Sequence, residues 1–183
     1  MHYTMKIAGL ERNLPLCKVS DDLYIGAFIL FNDVEITRAC AKDLLDKVPD
    51  FDVILTAESK GIPLAYEMAR QAGNMPYIVA RKGKKLYMRD VLTVNVNSIT
   101  TDHLQTLSIG KEEKELIEGR RVLIVDDVIS TGESLASLEK LVNAVSGNIV
   151  GKATILAEGN ASDRDYIIFL EKLPLFNSDG SIK

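Results

Sequence analysis

The chain has 183 residues, of which 46% are hydrophobic and 26% charged, which is typical of one globular domain with its own core. Its formal net charge of −4 gives no general attraction to nucleic acid, and no apolar run approaches the ~20 residues of a membrane-spanning helix. The N-terminal residues also lack the basic stretch and long apolar core of a secretion signal. We therefore expect neither nucleic-acid binding nor membrane insertion.

Cysteine and histidine are scarce. Cys17 and Cys40 are not at metal-ligand spacing, and we expect both to behave as small, buried apolar residues. His2 and His103 have no Cys or His neighbours at ligand spacing, which argues against a zinc site. This usage favours a reducing, cytoplasmic location.

The first half of the chain predicts one strand–helix–strand unit. Residues 1–31 contain the breakers Pro15 and Gly26 and predict irregular structure. Hydrophobic periodicity then predicts four elements, in order: a helix over 33–48 with Asp33 as its N-cap, a buried strand over 51–57, a helix over 62–71 and a short strand over 77–80.

The alternation of predicted strands and helices is interrupted over residues 81–110 and then resumes. Residues 92–99 alternate loosely, which predicts a strand or a mobile ribbon with a return strand through Leu104, Leu107 and Ile109. The charged residues 112–118 are expected on the surface. A second unit follows, in order: a strand over 122–126, a helix over 135–145, a strand over 149–157 and an edge strand over 166–170.

Strands that alternate with helices predict a parallel sheet with helices on both faces. In such sheets ligands bind at the carboxyl ends of the strands. Glu58, Arg81, Asp126 and Asp127 all fall at or just after predicted strand ends. We therefore expect these side chains to meet at one edge of the sheet.

Residues 121–134 carry the most informative pattern. Four apolar residues run into Asp126 and Asp127, which predicts a strand buried on both faces with charge at its end. A loop of hydroxyl-bearing residues and Gly132 follows, and then a helix begins, whose first N–H groups form a ready anion site. Two acids beside a phosphate site suit a ligand that also offers hydroxyls or a metal, and a ribose phosphate offers both.

This segment resembles the ribose-phosphate binding loop of the type I phosphoribosyltransferases, with strand, paired acids, Thr-Gly and helix in the same order. The resemblance covers roughly residues 50–160. It implies a single domain over residues 1–183 with an α/β fold, a twisted parallel sheet flanked by helices. It also implies an N-terminal hood over 1–32, a core over 33–160, a C-terminal edge over 161–183 and a flexible ribbon.

The same resemblance assigns contacts to phosphoribosyl pyrophosphate. Asp126 and Asp127 would hold the ribose hydroxyls and, with Lys85, form the implied catalytic set. The segment that follows would bind the 5-phosphate, with the side chain of Glu133 facing away. Its members are Val128, Ile129, Ser130, Thr131, Gly132, Glu133 and Ser134.

Two further segments match the places where the family binds pyrophosphate. Ser59, Lys60 and Gly61, preceded by Glu58, match its pyrophosphate loop, although a capped turn is the simpler alternative. Residues 81–85 carry four positive charges and match the loop that closes over the substrate, although a solvated surface is the alternative. Its implied contacts are Arg81, Lys82 and Lys85.

Two side chains have open roles. Tyr87 would either stack on a bound ligand or anchor the ribbon. Glu158 would either orient the base or cap the next turn.

The base is less well indicated than the sugar phosphate. Residues 80–82, 92–93 and 98–100 resemble xanthine phosphoribosyltransferases, yet Glu158 is followed by Gly159 where those enzymes carry a lysine. By elimination adenine ranks first, another purine such as xanthine second and orotate third. The Glu-Tyr-Gly segment usual in the adenine enzymes is absent, which leaves the acid that protonates the base unidentified.

The resemblance also implies Mg²⁺, carried by the substrate near Asp126 and Asp127 without a dedicated set of protein ligands. It further implies a homodimer. The alternative from another functional class is a regulator that senses phosphoribosyl pyrophosphate without catalysis.

Overall fold

A computed structural model of the chain describes residues 1–96 and 105–183. Three sequence-based expectations lie outside these residues: the resemblance of residues 98–100 to the xanthine enzymes, the solitary His103, and Leu104 in the return strand.

The described elements alternate between strands and helices after an all-strand beginning. In chain order they are β1 (His2–Ile7), β2 (Leu10–Ser20), β3 (Leu23–Gly26), α1 (Val34–Leu45), β4 (Val53–Ala57), α2 (Ile62–Gln71), β5 (Tyr77–Ala80), β6 (Leu92–Val96), β7 (Gln105–Ile109), α3 (Lys111–Ile117), β8 (Arg121–Ile129), α4 (Glu133–Ala144), β9 (Asn148–Glu158), a 3-10 helix (Gly159–Asp163), β10 (Ile168–Leu173) and β11 (Leu175–Phe176).

Five strands form the central sheet in the order β10-β9-β8-β4-β5, and every neighbouring pair is parallel. This confirms the predicted fold class. Side chains alternate between the two faces, so that Ile54 packs in one core while Val53 and Leu55 pack in the other. Burial on both faces explains why these strands read as unbroken apolar runs.

Helices cover both faces of the sheet. On one face, Ile36, Cys40 and Leu44 of α1 pack with Leu64 and Met68 of α2. On the other face, α3 contributes Ile117, and α4 contributes an apolar stripe from Leu135 to Val142. The prediction that residues 112–118 are merely surface is therefore wrong in part, because Ile117 anchors α3 in the core.

The N-terminal segment is a sheet, and the prediction of irregular structure over residues 1–31 is wrong. Strands β1, β2, β3 and β11 form an antiparallel sheet in that order. Burial alternates along β1, which is the pattern of a strand with one buried face. A two-residue turn at Ala8 and Gly9, both at positive φ, joins β1 to β2.

This small sheet, hereafter the hood sheet, is fastened to the core at two points. Arg12 of β2 forms an ion pair of 2.7 Å with Asp33, whose other carboxylate oxygen caps α1 by accepting from the N–H of Ile36. The C-terminal β11 pairs with β3, so residues from both ends of the chain build the hood sheet. The predicted division into an N-terminal hood and a separate C-terminal edge is thus incomplete.

The predicted ribbon is an antiparallel pair of strands, β6 and β7, in its described part. Leu107 and Ile109 are buried in the core on the α3 and α4 face of the central sheet, and this contact fixes the base of the ribbon. Its predicted flexibility stays a prediction.

Cysteine and membrane expectations can be compared with the structure. Cys40 is buried and burial raises its pKa to about 12, as expected of an apolar-like cysteine, but Cys17 is exposed, contrary to prediction. None of the helices in the described parts of the chain combines the length and the apolar character that crossing a bilayer requires.

Candidate functional site

Charged side chains from four adjacent strands meet at the carboxyl edge of the central sheet. Glu158 ends β9, Asp126 and Asp127 lie near the end of β8, and Glu58 and Arg81 directly follow β4 and β5. These strands are neighbours in the order β9-β8-β4-β5. Parallel strands place their carboxyl ends at one edge, so the topology brings the predicted residues together.

Strand β8 extends further than the sequence predicted, and this shortens the phosphate loop. Val128 and Ile129 pair with Leu156 and Ala157 of β9, and their side chains pack against the two cores. The structure places both residues in β8 and not in the loop, and their predicted contact with the substrate stays a prediction. The loop proper is Ser130, Thr131 and Gly132.

The short loop leads directly into the N-terminus of α4. Gly132 precedes the helix with φ +88°, a conformation that glycine adopts without strain. Glu133 and Ser134 are the first helical residues, and their backbone N–H groups have no carbonyl partner within the helix. The positive end of the helix and these free N–H groups form an anion-binding position.

The paired acids are held close together. Asp127 is 3% exposed and its N–H donates to the Asp126 carboxylate at 2.9 Å. Burial, and secondarily the neighbouring Asp127 charge, raises the pKa of Asp126 well above the usual range for an aspartate. Two adjacent carboxylates without enough compensating charge favour a shared proton, and a cationic or hydroxyl-bearing ligand would relieve this repulsion.

The loop after β4 presses directly against the acids. Ser59 Oγ donates to Asp126 Oδ1 at 3.4 Å. A Cβ on Gly61 would lie 2.8 Å from the same oxygen and 3.2 Å from the Cα of Asp126. A side chain at this position would force the loop or Asp126 to shift, so the loop is closely packed against the acids.

Lys60 ties the hood sheet to the acids. Its ammonium group donates to the backbone carbonyl of Phe28 at 2.9 Å and lies 3.2 Å from Asp127 Oδ2. Phe28 follows the hood strand β3 and is buried in the core on the α1 and α2 face of the central sheet. Lys60 is therefore placed to balance the acids, and its predicted contact with pyrophosphate stays a prediction.

Glu58 organises the basic segment. Its carboxylate lies 3.0 Å from Arg81 Nη2 and 3.6 Å from Lys85 Nζ, and it accepts a hydrogen bond of 2.7 Å from the N–H of Lys82. That N–H, more than the two cations, holds the pKa of Glu58 below its usual range. Three predicted pyrophosphate contacts therefore converge on one carboxylate.

Arg81 is further fixed by the ribbon, because its backbone exchanges two hydrogen bonds with Ser108 of β7. Beyond it the segment reaches solvent. The side chains of Lys82 and Tyr87 are exposed, Tyr87 by 68%, and the structure does not decide between the two roles considered for Tyr87.

Glu158 is buried at the end of β9, where desolvation raises the pKa of its carboxyl group against the opposing effects of the Ser130 hydroxyl and Lys60. A carboxyl group at this edge of the sheet can hydrogen-bond to the polar atoms of a heterocyclic base.

Three buried side-chain polar atoms have no hydrogen-bond partner within the described residues: Thr56 Oγ1, Arg81 Nε and Asp127 Oδ2. All three belong to this edge of the sheet. Thr56 Oγ1 lies 3.0 Å from the position of a Cβ on Gly61, and Lys60 approaches Asp127 Oδ2 outside hydrogen-bond geometry. Unsatisfied buried polar atoms are costly, so their clustering indicates that a polar ligand completes the site.

Two residues at this edge were missed by sequence reasoning. Thr56 stands within an apolar strand, and a polar residue at the fourth position of a buried run is a signal that could have found it. Arg164 follows the 3-10 helix and donates to the Thr131 carbonyl at 3.0 Å. No local pattern marks Arg164, because its contact depends on tertiary structure alone.

Comparison with known proteins identifies the domain. The family model for the phosphoribosyl transferase domain matches residues 33–178. An adenine phosphoribosyltransferase from Ruminiclostridium cellulolyticum is 31% identical over 172 residues, covering 87% of this chain and 88% of that protein. A xanthine phosphoribosyltransferase from Exiguobacterium is 30% identical over 150 residues, covering 80% and 76%.

A regulator is similar as well. The purine biosynthesis transcriptional repressor PurR of Bacillus subtilis is 32% identical over 111 residues, which are 60% of this chain but 38% of the repressor. Among solved structures, an adenine phosphoribosyltransferase from Thermoanaerobacter pseudethanolicus has a TM-score of 0.65 at 24% identity, over 78% of this chain and 84% of that one. This structural likeness shows a shared fold.

Proposed function

We propose, since the chain belongs to the phosphoribosyl transferase domain family and to its purine-related branch, that it transfers the phosphoribosyl group of phosphoribosyl pyrophosphate to a purine, with adenine the first candidate. The products are a nucleoside monophosphate and pyrophosphate.

The clustering of unsatisfied polar atoms carries this proposal. Asp127 Oδ2 supplies an acceptor for a ribose hydroxyl, Arg81 Nε supplies a donor for an anionic oxygen, and Thr56 Oγ1 supplies either. Beside them the N-terminus of α4 offers free N–H groups to a phosphate. A ligand with a hydroxylated ring and anionic groups on both sides suits a site of this composition.

The reaction forms one bond and breaks one. A ring nitrogen of the base attacks the anomeric carbon of the ribose, the bond from that carbon to the pyrophosphate oxygen breaks, and the base releases a proton. Positive charge develops on the sugar during this step, and the carboxylates of Asp126 and Asp127 stabilise it electrostatically. Negative charge accumulates on the departing pyrophosphate, where Arg81, Lys82 and Lys85 counter it.

Magnesium is part of the proposal. Asp126 and Asp127 offer oxygen ligands, and the described residues contain no group of three or more metal-ligating side chains, which suits an ion held mainly by waters and substrate oxygens. When bound, Mg²⁺ would neutralise charge on the pyrophosphate. Asp127 Oδ2, which faces Lys60 but accepts no hydrogen bond within the described residues, would be the atom to contact it or its water.

The Glu58 carboxylate would give up its ion pairs when the substrate binds. In the free protein it neutralises the same cations that the pyrophosphate needs. These ion pairs are partly exposed to solvent, which screens them, and a polyanion that offers more negative charge can therefore displace the carboxylate. The basic segment would then close over the ligand and exclude water from the reacting sugar.

Adenine is supported by two observations. The relative with the greatest mutual coverage of the three is an adenine enzyme, and Glu158 is followed by Gly159, so no lysine is available there for a base carbonyl. Glu158, buried at this edge, offers a carboxyl group that can accept a hydrogen bond from an exocyclic amine. Xanthine is the second candidate and orotate the third.

The test is a panel of bases incubated with phosphoribosyl pyrophosphate and Mg²⁺ while pyrophosphate release is measured. Adenine should give the highest kcat/KM, and xanthine, hypoxanthine, guanine, uracil and orotate should follow far behind. A preference for xanthine would support phosphoribosyl transfer but would overturn adenine as the preferred base. If no base is turned over, the proposed transferase activity is wrong.

A regulator is the second candidate function, favoured by the similarity to the PurR repressor. It predicts binding of phosphoribosyl pyrophosphate without consumption of any base. Calorimetry with phosphoribosyl pyrophosphate, run on the same preparation as the base panel, separates the two functions.

A homodimer is also proposed. Phe31, Val34 and Tyr66 are more than half exposed on neighbouring elements around the start of α1 and α2, an apolar group that a second copy would cover. Sedimentation of the wild type and of Tyr66→Glu tests this: a dimer that the variant dissociates is expected, and a monomeric wild type would overturn it.

A further inference from the structure

Arg164 is a charged residue at the site to which the proposed reaction gives no task. It follows the 3-10 helix that continues from β9, so it stands beside the end of β8. Its side chain crosses to the next loop, where Nη2 donates a 3.0 Å hydrogen bond to the carbonyl of Thr131. This is the one side-chain hydrogen bond of Arg164 within the described residues.

Gly132 lies directly beneath the guanidinium group. A Cβ at this position would lie 2.6 Å from Arg164 Nη1, and φ is +88°. The backbone conformation favours glycine here, and a side chain would displace the guanidinium group from the loop. The close approach shows that Arg164 is packed on the loop itself and does not extend freely into solvent.

The contacted carbonyl shares a peptide group with the N–H of Gly132. The described residues contain no cis peptide bond, and in a planar trans peptide the C=O and N–H point in opposite directions. A guanidinium that holds the Thr131 carbonyl on one side therefore directs the Gly132 N–H to the other side. A charge-assisted hydrogen bond also polarises the peptide and strengthens its N–H as a donor.

Asp163 and Asp165 flank Arg164 in the sequence, but its guanidinium forms no ion pair within the described residues, unlike that of Arg12. A half-buried, unpaired cation beside an anion loop raises the positive potential at the phosphate position.

We propose that Arg164 is a positioning residue for the 5-phosphate of the substrate. It fixes the Thr131–Gly132 peptide so that the Gly132 N–H faces the phosphate, and it adds a positive charge behind the loop. This inference rests on the proposed function, since it names a residue that tunes the same site. It predicts that Arg164 affects affinity for the sugar phosphate and leaves the pyrophosphate half of the site unchanged.

The test uses two ligands that report on different halves of the site. Ribose 5-phosphate and magnesium pyrophosphate are titrated separately into the wild type, Arg164→Gln and Arg164→Lys. The matched control is Arg120→Gln, an exposed arginine at the amino end of β8. KM for phosphoribosyl pyrophosphate and kcat are measured in parallel.

Arg164→Gln should weaken the binding of ribose 5-phosphate and raise KM for phosphoribosyl pyrophosphate, each about tenfold, which is the loss expected for one hydrogen bond to a charged group. Its kcat should stay within about twofold of the wild-type value. Pyrophosphate affinity should not change. Arg164→Lys should fall between glutamine and wild type because it keeps the charge without the planar fork. Arg120→Gln should match the wild type.

Two results would overturn the role of Arg164: wild-type affinity for ribose 5-phosphate in Arg164→Gln, or equal weakening of both ligands, which would indicate general damage to the fold. A wild type that binds neither ligand would instead overturn the proposed function.

Discussion

The acidic and basic halves of the site differ in how the fold holds them. Asp126 and Asp127 lie on the central strand β8, and the loop after β4 lies so close to them that a Cβ on Gly61 would meet Asp126. The basic segment after β5 depends instead on ion pairs to one carboxylate, Glu58, and on a backbone link to the ribbon at Arg81.

This difference assigns each half a mechanical role. A rigid acidic half suits the ribose and the 5-phosphate, whose positions must be fixed while the glycosidic bond forms. A loosely held basic half suits a leaving group that must enter, become neutralised and depart. Changes in the acidic half should therefore affect turnover far more than changes in the basic half.

The largest expected effect is at Asp127. Asp127→Asn keeps the shape but removes a negative charge that, in the proposed reaction, stabilises the positive charge on the sugar, so kcat should fall on the order of 10²-fold or more. Steady-state pyrophosphate release measures this. The matched control is Asp50→Asn, whose side chain is 95% exposed at the opposite end of the sheet and should retain normal turnover. Near-normal turnover in Asp127→Asn would show that this charge is not needed and would contradict the proposed role of the acidic half.

Gly61→Ala should rank second. The new methyl group would meet Asp126 Oδ1 and Cα, so either the loop or the acids must shift, and a shift near 1 Å can cost ~10²-fold in rate. A melting curve recorded with the kinetics separates loss of fold from loss of alignment. Full activity with an unchanged melting temperature would show that the contact is not needed.

Smaller effects are expected in the basic half. Lys85→Ala should reduce kcat/KM about tenfold, since it removes one partly screened charge from the pyrophosphate. Lys84→Ala is the control, because Lys84 is exposed in the same segment. If both variants lose the same amount, only the general charge of the segment matters.

The smallest effect concerns stability and pH. Because the folded protein raises the pKa of Asp126, the folded state binds more protons than the unfolded state between the two pKa values, and its stability falls as pH rises through that window. Asp126→Asn removes this loss and should stabilise the free protein by ~1 kcal/mol at neutral pH.

Differential scanning fluorimetry without ligand tests the sign. The difference in melting temperature between Asp126→Asn and the wild type should grow from pH 5 to pH 8, by a few degrees in total. A difference that shrinks as pH rises would contradict the raised pKa.

The sequence predicted the core elements well where local signals were strong. Helix α2 and strand β5 have the predicted bounds, because Pro63 and Gly73 mark the limits of the helix. The paired acids, the loop glycine and the basic segment were also found by type and order. These features depend on short-range chemistry, which a single sequence displays.

Features set by distant pairing escaped prediction. The pairing of β11 with β3 joins distant parts of the chain, and β8 continues through Val128 and Ile129 because β9 lies beside them. The hairpin of β1 and β2, in contrast, is local, and the alternation along β1 is a signal that could have found it. Arg164 reaches its loop only through tertiary structure. Local periodicity carries no record of such partners.

The most direct test of the central claim is a crystal structure of the protein with phosphoribosyl pyrophosphate and Mg²⁺. The account predicts ribose hydroxyls within hydrogen-bond distance of Asp126 and Asp127, and the 5-phosphate against the backbone N–H groups of residues 132–134. A ligand bound at another place, or a phosphate turned away from the start of α4, would contradict it.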